Sequence, residues 1–173
     1  VGAGFSAWLQ HQKEVSWLDL SSSGILGTIP EWFWNYFPSF VEVLDLSHNQ
    51  LSGKLPEFLE FGEESEISLG SNLFEGPLPP SLPYNTNFLD LSNNSFSGPL
   101  PSIESPYLEL LDLSSNHFNS SMQSSWSKAS ELFFLDLSDN NFSGEIPIEW
   151  PTETMEFINL GHSNLPGRIP SPL

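Results

Sequence analysis

The chain alternates short apolar runs with polar turns in a pattern that recurs seven times. Each copy contains two aliphatic residues separated by one other residue, most often Leu-Asp-Leu, and successive copies start 22 to 26 residues apart. The first aliphatic residues of the copies are Leu18, Leu44, Ile67, Leu89, Leu111, Leu135 and Ile158. A near-constant period of this length predicts a chain built from stacked, equivalent turns.

The spacing of the aliphatic residues predicts one short β-strand in every copy. A period of two places both aliphatic side chains on one face and the residue between them on the other, so the leucines point inward and the aspartates outward. We therefore expect a solenoid with a parallel β-sheet on its concave face and loops, 3₁₀ turns and short helices on its convex face. The expected strands cover residues 17–21, 43–47, 66–70, 88–92, 110–114, 134–138 and 157–161. Residues 1–14 fit the tail of a partial repeat, which makes 1–173 a single solenoid of about seven and a half repeats.

The residues after each strand follow one order of residue types. An asparagine comes first in five of the repeats, where its amide can bond backbone groups of neighbouring turns. A glycine follows, which permits a backbone conformation or a close approach that other residues do not, and then an aliphatic-proline pair that ends strand pairing. The asparagines of this ladder are Asn49, Asn72, Asn94, Asn116 and Asn140. The fifth repeat departs from the order, because Ser120 replaces the glycine and Gln123 the proline.

This order of residues resembles the plant-specific class of leucine-rich repeat, LxxLxLSxNxLxGxIP. The class occurs in receptor-like kinases, receptor-like proteins and polygalacturonase-inhibiting proteins. Residues 5–12 and 24–34 are similar to an internal stretch of receptor-like proteins of the Cf-type and xylanase-receptor group. The resemblance implies the ectodomain of a plasma-membrane receptor that recognises extracellular signals in defence or development. Such ectodomains are usually closed by caps with cysteine pairs, and this chain has no cysteine, so we expect an internal fragment whose core is open at both ends.

Charge and composition narrow the choice of partners. The chain has 22 acidic residues against four basic ones, and its formal net charge of −18 disfavours nucleic acid and anionic membrane surfaces as partners. No apolar run approaches the ~20 residues that cross a bilayer, and the first residues lack the features of a signal peptide. We expect a soluble chain at the cell surface, derived from a membrane-anchored parent. Its expected partners are a protein, peptide or glycan ligand and a co-receptor, and no cofactor is expected.

The outward strand positions form two columns that a ligand could contact. The first column is mostly apolar, the second is mostly acidic, and aromatic residues are common anchors of interfaces. The predicted ligand-binding residues are Trp17, Asp19, Phe88, Asp90, Leu110, Asp112, Phe134, Asp136 and Phe157. The alternative is that the apolar residues pack on one another as sheet neighbours and that each aspartate accepts a hydrogen bond from a nearby serine.

The acidic column does not predict a metal site or a catalytic site. Stacked carboxylates about 5 Å apart repel by roughly 0.8 kcal/mol per pair even in water, so they need hydrogen bonds, a cation or a shifted pKa. Calcium requires oxygens that converge on one point, whereas a ladder spreads them along a line. No histidine is placed beside both a serine and an aspartate, and identical rows of side chains offer no closed pocket for a catalytic carboxyl group. We therefore expect a protein that is not an enzyme.

Three Asn-x-Ser sequons, at Asn93, Asn119 and Asn141, predict N-glycosylation on the turn side of the strands. A partner would then dock on the concave columns or across the opposite edge.

Two other functions stay open. Inhibition of a secreted glycosidase would favour a basic or mixed concave face, and ice binding would favour a flat array of small groups such as threonine. The glutamate cluster at residues 57, 60, 63, 64 and 66 is most simply a solvated convex face and its lead into the next strand.

Overall fold

Seven short strands form one parallel sheet in a computed structural model that describes residues 4–5, 7–12, 14–36, 39, 41–122, 126, 128–146 and 154–165. The sheet order is β1-β3-β5-β7-β9-β11-β12, so each strand pairs with the strand of the next repeat. This confirms the predicted solenoid and its parallel sheet. The strands are β1 (Trp17–Asp19), β3 (Val43–Asp45), β5 (Ser65–Ser68), β7 (Thr86–Asp90), β9 (Leu110–Asp112), β11 (Phe134–Asp136) and β12 (Phe157–Asn159).

The aliphatic residues of these strands stack in register inside the solenoid. Leu111 is paired with Leu89 on one side and Leu135 on the other, and both Leu111 and Leu135 are fully buried. The strands end two residues earlier than the sequence pattern predicts. The reason is a tight turn in which the aspartate side chain accepts a hydrogen bond from the backbone N–H of the serine two residues later, as Asp112 does from Ser114 at 2.9 Å.

A second parallel sheet, which the sequence analysis did not predict, follows the concave one. It has five strands in the order β10-β8-β6-β4-β2. One apolar residue in each repeat points into the core, and the rings of Phe74 and Phe96 stack at 6.1 Å, as do those of Phe118 and Phe142. The strands are β2 (Leu26–Thr28), β4 (Gln50–Gly53), β6 (Leu73–Gly76), β8 (Ser95–Gly98) and β10 (His117–Phe118).

The glycine column allows the turns of the second sheet to approach closely. Gly53 has a φ of 93°, and a Cβ atom built on it would lie 3.1 Å from Cγ2 of Thr28 in the preceding repeat. Ser120, which takes the glycine position in the fifth repeat, does not have a positive φ. Strand β10 is only two residues long and is the last strand of the second sheet among the described residues, although the hydrogen bond from the N–H of Asn141 to the carbonyl of Phe118 continues the pairing.

The asparagine ladder joins the two sheets. Nδ2 of Asn116 donates hydrogen bonds to the carbonyl oxygens of Leu91, Leu113 and Ser114, at 3.0, 3.2 and 3.1 Å. Its Oδ1 accepts the backbone N–H of Phe96 at 3.0 Å. Each such amide therefore satisfies backbone groups of its own repeat and of the preceding one. The residue before the ladder position has a left-handed φ in seven repeats: Ser22, His48, Ser71, Asn93, Ser115, Asp139 and His162.

The convex side is mostly irregular in the part of the chain that the structure describes. It contains a 3₁₀ helix over Ala7–His11 and a short α-helix, α1, over Glu31–Tyr36. Phe33 of α1 is fully buried and makes edge contacts with Phe5 and Trp34. Such short elements agree with the predicted convex face. No helix among the described residues is long and apolar enough to cross a membrane.

The two ends of the stack differ in how well the core is covered. At the first end Leu9 of the 3₁₀ helix and Leu18 of β1 are buried, at 1% and 6% exposure. At the other end Ile158, the inward residue of β12, is 48% exposed. The expectation of an open core is therefore wrong for the first end, because the partial repeat covers it.

Candidate ligand-binding face

The concave sheet holds an open groove of about 370 Å³ that spans β3, β5, β7, β9 and β11. Five of the nine predicted ligand-binding residues line it: Phe88, Asp90, Leu110, Asp112 and Phe134. The other four, Trp17, Asp19, Asp136 and Phe157, lie in the same two columns beyond the lining. The lining also includes Asp45, Glu66 and Ser68, which the sequence analysis did not select as site residues.

Packing against neighbouring strands buries only part of the surface of the apolar column. Phe88, Leu110 and Phe134 are half-buried and aligned in register. The ring of Phe134 stacks on that of Phe157 with centroids 4.3 Å apart and planes 5° from parallel. Sheet-neighbour packing therefore occurs at this pair. Trp17 at the other end of the column remains 71% exposed, so part of the column is open to a partner.

The acidic column is held by hydrogen bonds within the repeats. Oδ1 of Asp136 accepts the N–H and the hydroxyl of Ser138, at 2.9 and 2.6 Å, and its Oδ2 accepts Nδ2 of Asn159 at 3.0 Å. Oδ2 of Asp90 accepts the hydroxyl of Ser68 on the neighbouring strand at 3.1 Å. These contacts give each carboxylate a structural role and fix its position on the concave surface.

The middle of the acidic column is the least favourable place for a negative charge. Burial raises the pKa of Asp112, the charges of Asp90 and Asp136 raise it further, and hydrogen bonds from Ser114 oppose the rise. The fully solvated Asp19 at the end of the column has a lowered pKa, because the N–H and hydroxyl of Ser21 stabilise its charged form. A ligand that brings a positive charge or a hydrogen-bond donor to Asp112 would relieve this repulsion.

A β-bulge interrupts the sheet beside the groove. The pairing of β5 with β7 shifts register between Ser65 and Glu66, and Asn87 is the residue of β7 left over by this shift. Oδ1 of Asn87 is the one buried side-chain polar atom without a hydrogen-bond partner in the part of the chain that is described. Bulges are common next to functional sites. The repeat spacing does not reveal this one, because the period from Ile67 to Leu89 is ordinary.

The concave face gives little support for a metal site or for catalysis by a histidine. Among the described residues no group of three or more histidine or acidic side chains is arranged to hold a metal ion. His162 contacts Oδ1 of Asp139 through its Nδ1 at 3.0 Å, but both side chains are exposed and lie on the turns that leave the sheet.

The three predicted glycosylation sites lie away from the concave columns. Asn93 occupies the left-handed position before the ladder, and its Nδ2 donates to the hydroxyl of Ser71 at 3.1 Å. Asn119 directly follows β10, and the N–H of Asn141 donates to the carbonyl of Phe118 at 2.8 Å, as an extension of the second sheet. All three side chains are exposed. Glycans on them would cover the turn edge and the outer side of the second sheet.

Comparisons with known proteins agree with this architecture. Solved structures that are similar over nearly the whole chain include the Arabidopsis receptor kinase HAESA in complex with the peptide hormone IDA and the co-receptor SERK1, with a TM-score of 0.71 and 28% identity over 96% of this chain and 33% of that one. A plant ice-binding protein also has a TM-score of 0.71, with 24% identity over 97% of this chain and 55% of that one, and shows the shared fold alone.

Sequence comparison points to the same group. The chain is 40% identical over 81 residues to Receptor-like protein EIX1 of Solanum lycopersicum, a match that covers 46% of this chain and only 8% of that relative. This similarity agrees with the predicted resemblance to plant receptor-like proteins. The Leucine Rich Repeat family profile matches residues 14–36, 40–61, 85–105, 107–129 and 131–152, which together make up more than half of the sequence. The chain therefore belongs to the Leucine Rich Repeat family.

Proposed function

We propose that this chain is a non-catalytic ligand-recognition segment of a plant receptor-like protein, and that it binds a peptide or protein with its concave face. The observation that carries the proposal is the groove on that face, where half-buried Phe88, Leu110 and Phe134 run beside a fixed column of carboxylates. Large apolar side chains that remain accessible on an otherwise well-packed solenoid are favourable anchors for a partner.

The comparisons support recognition as the role of the parent protein. HAESA was solved with a peptide hormone and a co-receptor, and the same kinds of partner are proposed here. The matched stretch spans 8% of the tomato relative EIX1. Anchoring in the plasma membrane, defence or developmental signalling and exposure outside the cell are therefore proposals for the longer protein. A glycan ligand is also compatible with the groove.

The other two functions fit the surface less well. A glycosidase inhibitor was expected to have a basic or mixed concave face, but the charged residues that line the groove are Asp45, Glu66, Asp90 and Asp112, all acidic. An ice-binding face was expected to be a flat array of small groups, but the concave columns consist mostly of carboxylates and large apolar side chains.

An affinity capture with paired baits tests the proposal. The chain, its Phe88→Ala/Leu110→Ala variant and a Phe58→Ala/Leu73→Ala control would be used to capture partners from plant extracellular fluid. The control removes the same residue types where they are 82% and 57% exposed, outside the concave face. A partner retained by the chain and the control, and lost from the concave variant, is the expected result. Equal retention by all three baits, or loss from the control alone, would contradict the proposal.

A further inference from the structure

A second cleft lies outside the concave columns, at the edge of the sheet where the strands begin. It has a volume of about 230 Å³ and is lined by Glu63, Glu64, Tyr84, Asn85 and Tyr107. These residues belong to the turns that lead into β5, β7 and β9, on the edge opposite the asparagine ladder. The cleft and the concave groove have no lining residue in common.

Two tyrosines form the aromatic part of the cleft. The rings of Tyr84 and Tyr107 meet edge to face, with centroids 6.0 Å apart and planes at 88°, and the two residues are 54% and 51% exposed. The N–H of Tyr107 donates to the hydroxyl of the fully buried Ser105 at 3.2 Å. The rings are thus positioned by the backbone beneath them, while about half of their surface remains open.

Two carboxylates form the charged part of the cleft. Glu63 and Glu64 are both exposed. Glu64 has a φ of 53° and is the one non-glycine residue with a left-handed φ outside the ladder turns, within the described part of the chain. Its conformation is uncommon for a long side chain and persists because the surroundings enforce it.

Buried hydrogen bonds fix the turn that carries these carboxylates. The N–H of Ser65 donates to the carbonyl of Asn85 at 3.1 Å, and the hydroxyls of Ser65 and Thr86 lie 3.0 Å apart. Both Ser65 and Thr86 are fully buried. The cleft is therefore built on a rigid polar base, which reduces the ordering cost of binding.

We propose that this cleft binds an arginine side chain of a protein or peptide partner. A guanidinium group can stack on the open face of a tyrosine ring and direct its N–H donors to two carboxylates at once. The side-chain carbonyl of Asn85 is a further acceptor. An anionic ligand would be repelled by Glu63 and Glu64, and a neutral sugar could stack on the rings but would gain no charge attraction from the two carboxylates. The site is independent of the concave-face proposal.

Nuclear magnetic resonance of the whole chain with labelled tyrosines tests this site directly. The chain has three tyrosines, and a Tyr84→Phe/Tyr107→Phe variant identifies the two ring signals that belong to the cleft. N-acetylarginine methylamide is the probe, with the lysine and citrulline counterparts for comparison. Saturable shifts of the Tyr84 and Tyr107 ring signals are expected from the arginine probe, and binding of citrulline should be at least about fivefold weaker because it lacks the charge. Equal binding of citrulline would overturn the proposal, and equal binding of lysine would overturn its assignment to arginine.

A matched pair of charge variants separates this site from general attraction to an acidic protein. Glu63→Gln/Glu64→Gln removes both carboxylates of the cleft at constant size, whereas Glu57→Gln/Glu60→Gln makes the same change in net charge on the exposed convex segment. The cleft variant should weaken binding of the arginine probe at least about fivefold and the convex variant should leave it unchanged. Unchanged binding in the cleft variant, or equal losses in both, would overturn the proposal. Thermal unfolding of each variant would establish that it is folded.

Discussion

The concave sheet and the second sheet are made by the same repeats but present different surfaces. Outward positions of the concave sheet carry large or charged groups, such as Phe88 and Asp90. Outward positions of the second sheet carry mostly small or polar residues, such as Ser52 and Ser97, and the sequon asparagine Asn141 continues them. The proposed partner would contact the first face, and the predicted glycans would lie on the second.

The difference follows from how closely neighbouring turns approach one another. In the second sheet the glycines allow close approach of neighbouring turns, since a Cβ atom on Gly53, Gly76 or Gly144 would lie 3.1 to 3.2 Å from a side-chain atom of the preceding turn. In the concave sheet the inward leucines fill the core, the outward aspartates are held by hydrogen bonds of the turns, and the apolar outward column lacks such hydrogen bonds. The asparagine ladder between the sheets is required by both. Structural constraint is therefore concentrated in the inward, aspartate, ladder and glycine positions, and the proposed recognition depends most on the apolar outward column.

The largest expected effect comes from breaking the ladder that connects the two faces. Asn116→Ala would leave three carbonyls and the N–H of Phe96 without their buried partner. We expect a loss of about 3 kcal/mol or more in the free energy of unfolding, measured by urea denaturation. The exposed Asn119→Ala in the same unglycosylated protein should change stability by less than about 0.5 kcal/mol. Similar losses in the two variants would show that the ladder does not connect the sheets.

A smaller loss of stability is expected from glycine substitutions in the second sheet. Comparing two glycines distinguishes the contribution of close packing from that of the positive φ. Gly53→Ala places a methyl group 3.1 Å from Thr28 at a φ of 93°, whereas Gly27→Ala has a similar φ of 88° and no neighbour within 4 Å. Both should be destabilised, by roughly 1 to 3 kcal/mol, because of the positive φ. Thermal and urea unfolding should show the larger loss for Gly53→Ala. If Gly27→Ala were the more destabilised, close packing of the turns would not explain the glycine column.

The smallest stability effect concerns the acidic column and depends on pH. The raised pKa of Asp112 means that its charged form is disfavoured in the folded state, so folding is weakened as pH rises through that pKa. Asp112→Asn should therefore stabilise the chain near pH 7, by less than about 1 kcal/mol because the site is partly solvated, and the gain should disappear in acid. The substitution retains the turn, since Oδ1 of Asn159 in the same column accepts the N–H of Gly161 at 3.1 Å.

Asp19→Asn is the matched substitution, and its effect on the free energy of unfolding near pH 7 should have the opposite sign to that of Asp112→Asn. The lowered pKa of Asp19 means that the charged carboxylate stabilises the fold above the unfolded pKa, and that this stability is lost as pH falls through the folded pKa. The variant should be slightly less stable than the parent near pH 7 and equal to it in acid. The same sign of change at both positions, measured by urea denaturation across pH, would contradict the account of the column.

The sequence predicts the concave sheet well because each of its strands contains two aliphatic residues one position apart, and this pair recurs once in every repeat. Leu44, Leu111 and Leu135 are fully buried as the pattern indicates. The second sheet was missed because its strands are at most four residues long and all of them except β10 contain a glycine, which usually weakens a strand. Pairing with the next repeat compensates for that weakness, and such pairing becomes visible only after the turns are stacked.

The candidate site was predictable in its columns but not in its detail. The pattern identifies which residues point outward, and the structure places Phe88, Leu110 and Phe134 together in the groove. It does not identify the stack of Phe134 on Phe157 or the bulge at Asn87, which depend on contacts between repeats. The glutamate cluster was interpreted as a solvated convex face and its lead into the next strand. Glu63 and Glu64 are exposed in that lead and line the edge cleft, whereas Glu66 lines the concave groove.

The most direct test of recognition by the concave face compares the affinities of two variants for one identified ligand. The glycosylated chain, its Phe134→Ala variant and its Asn141→Gln variant would be titrated with that ligand by isothermal titration calorimetry. Burying such a side chain contributes roughly 1.5 to 3 kcal/mol, so Phe134→Ala should raise Kd about 10- to 100-fold, while Asn141→Gln should leave it unchanged. An unchanged Kd for Phe134→Ala, together with lost binding on substitution of Trp32 on the convex side, would contradict the account.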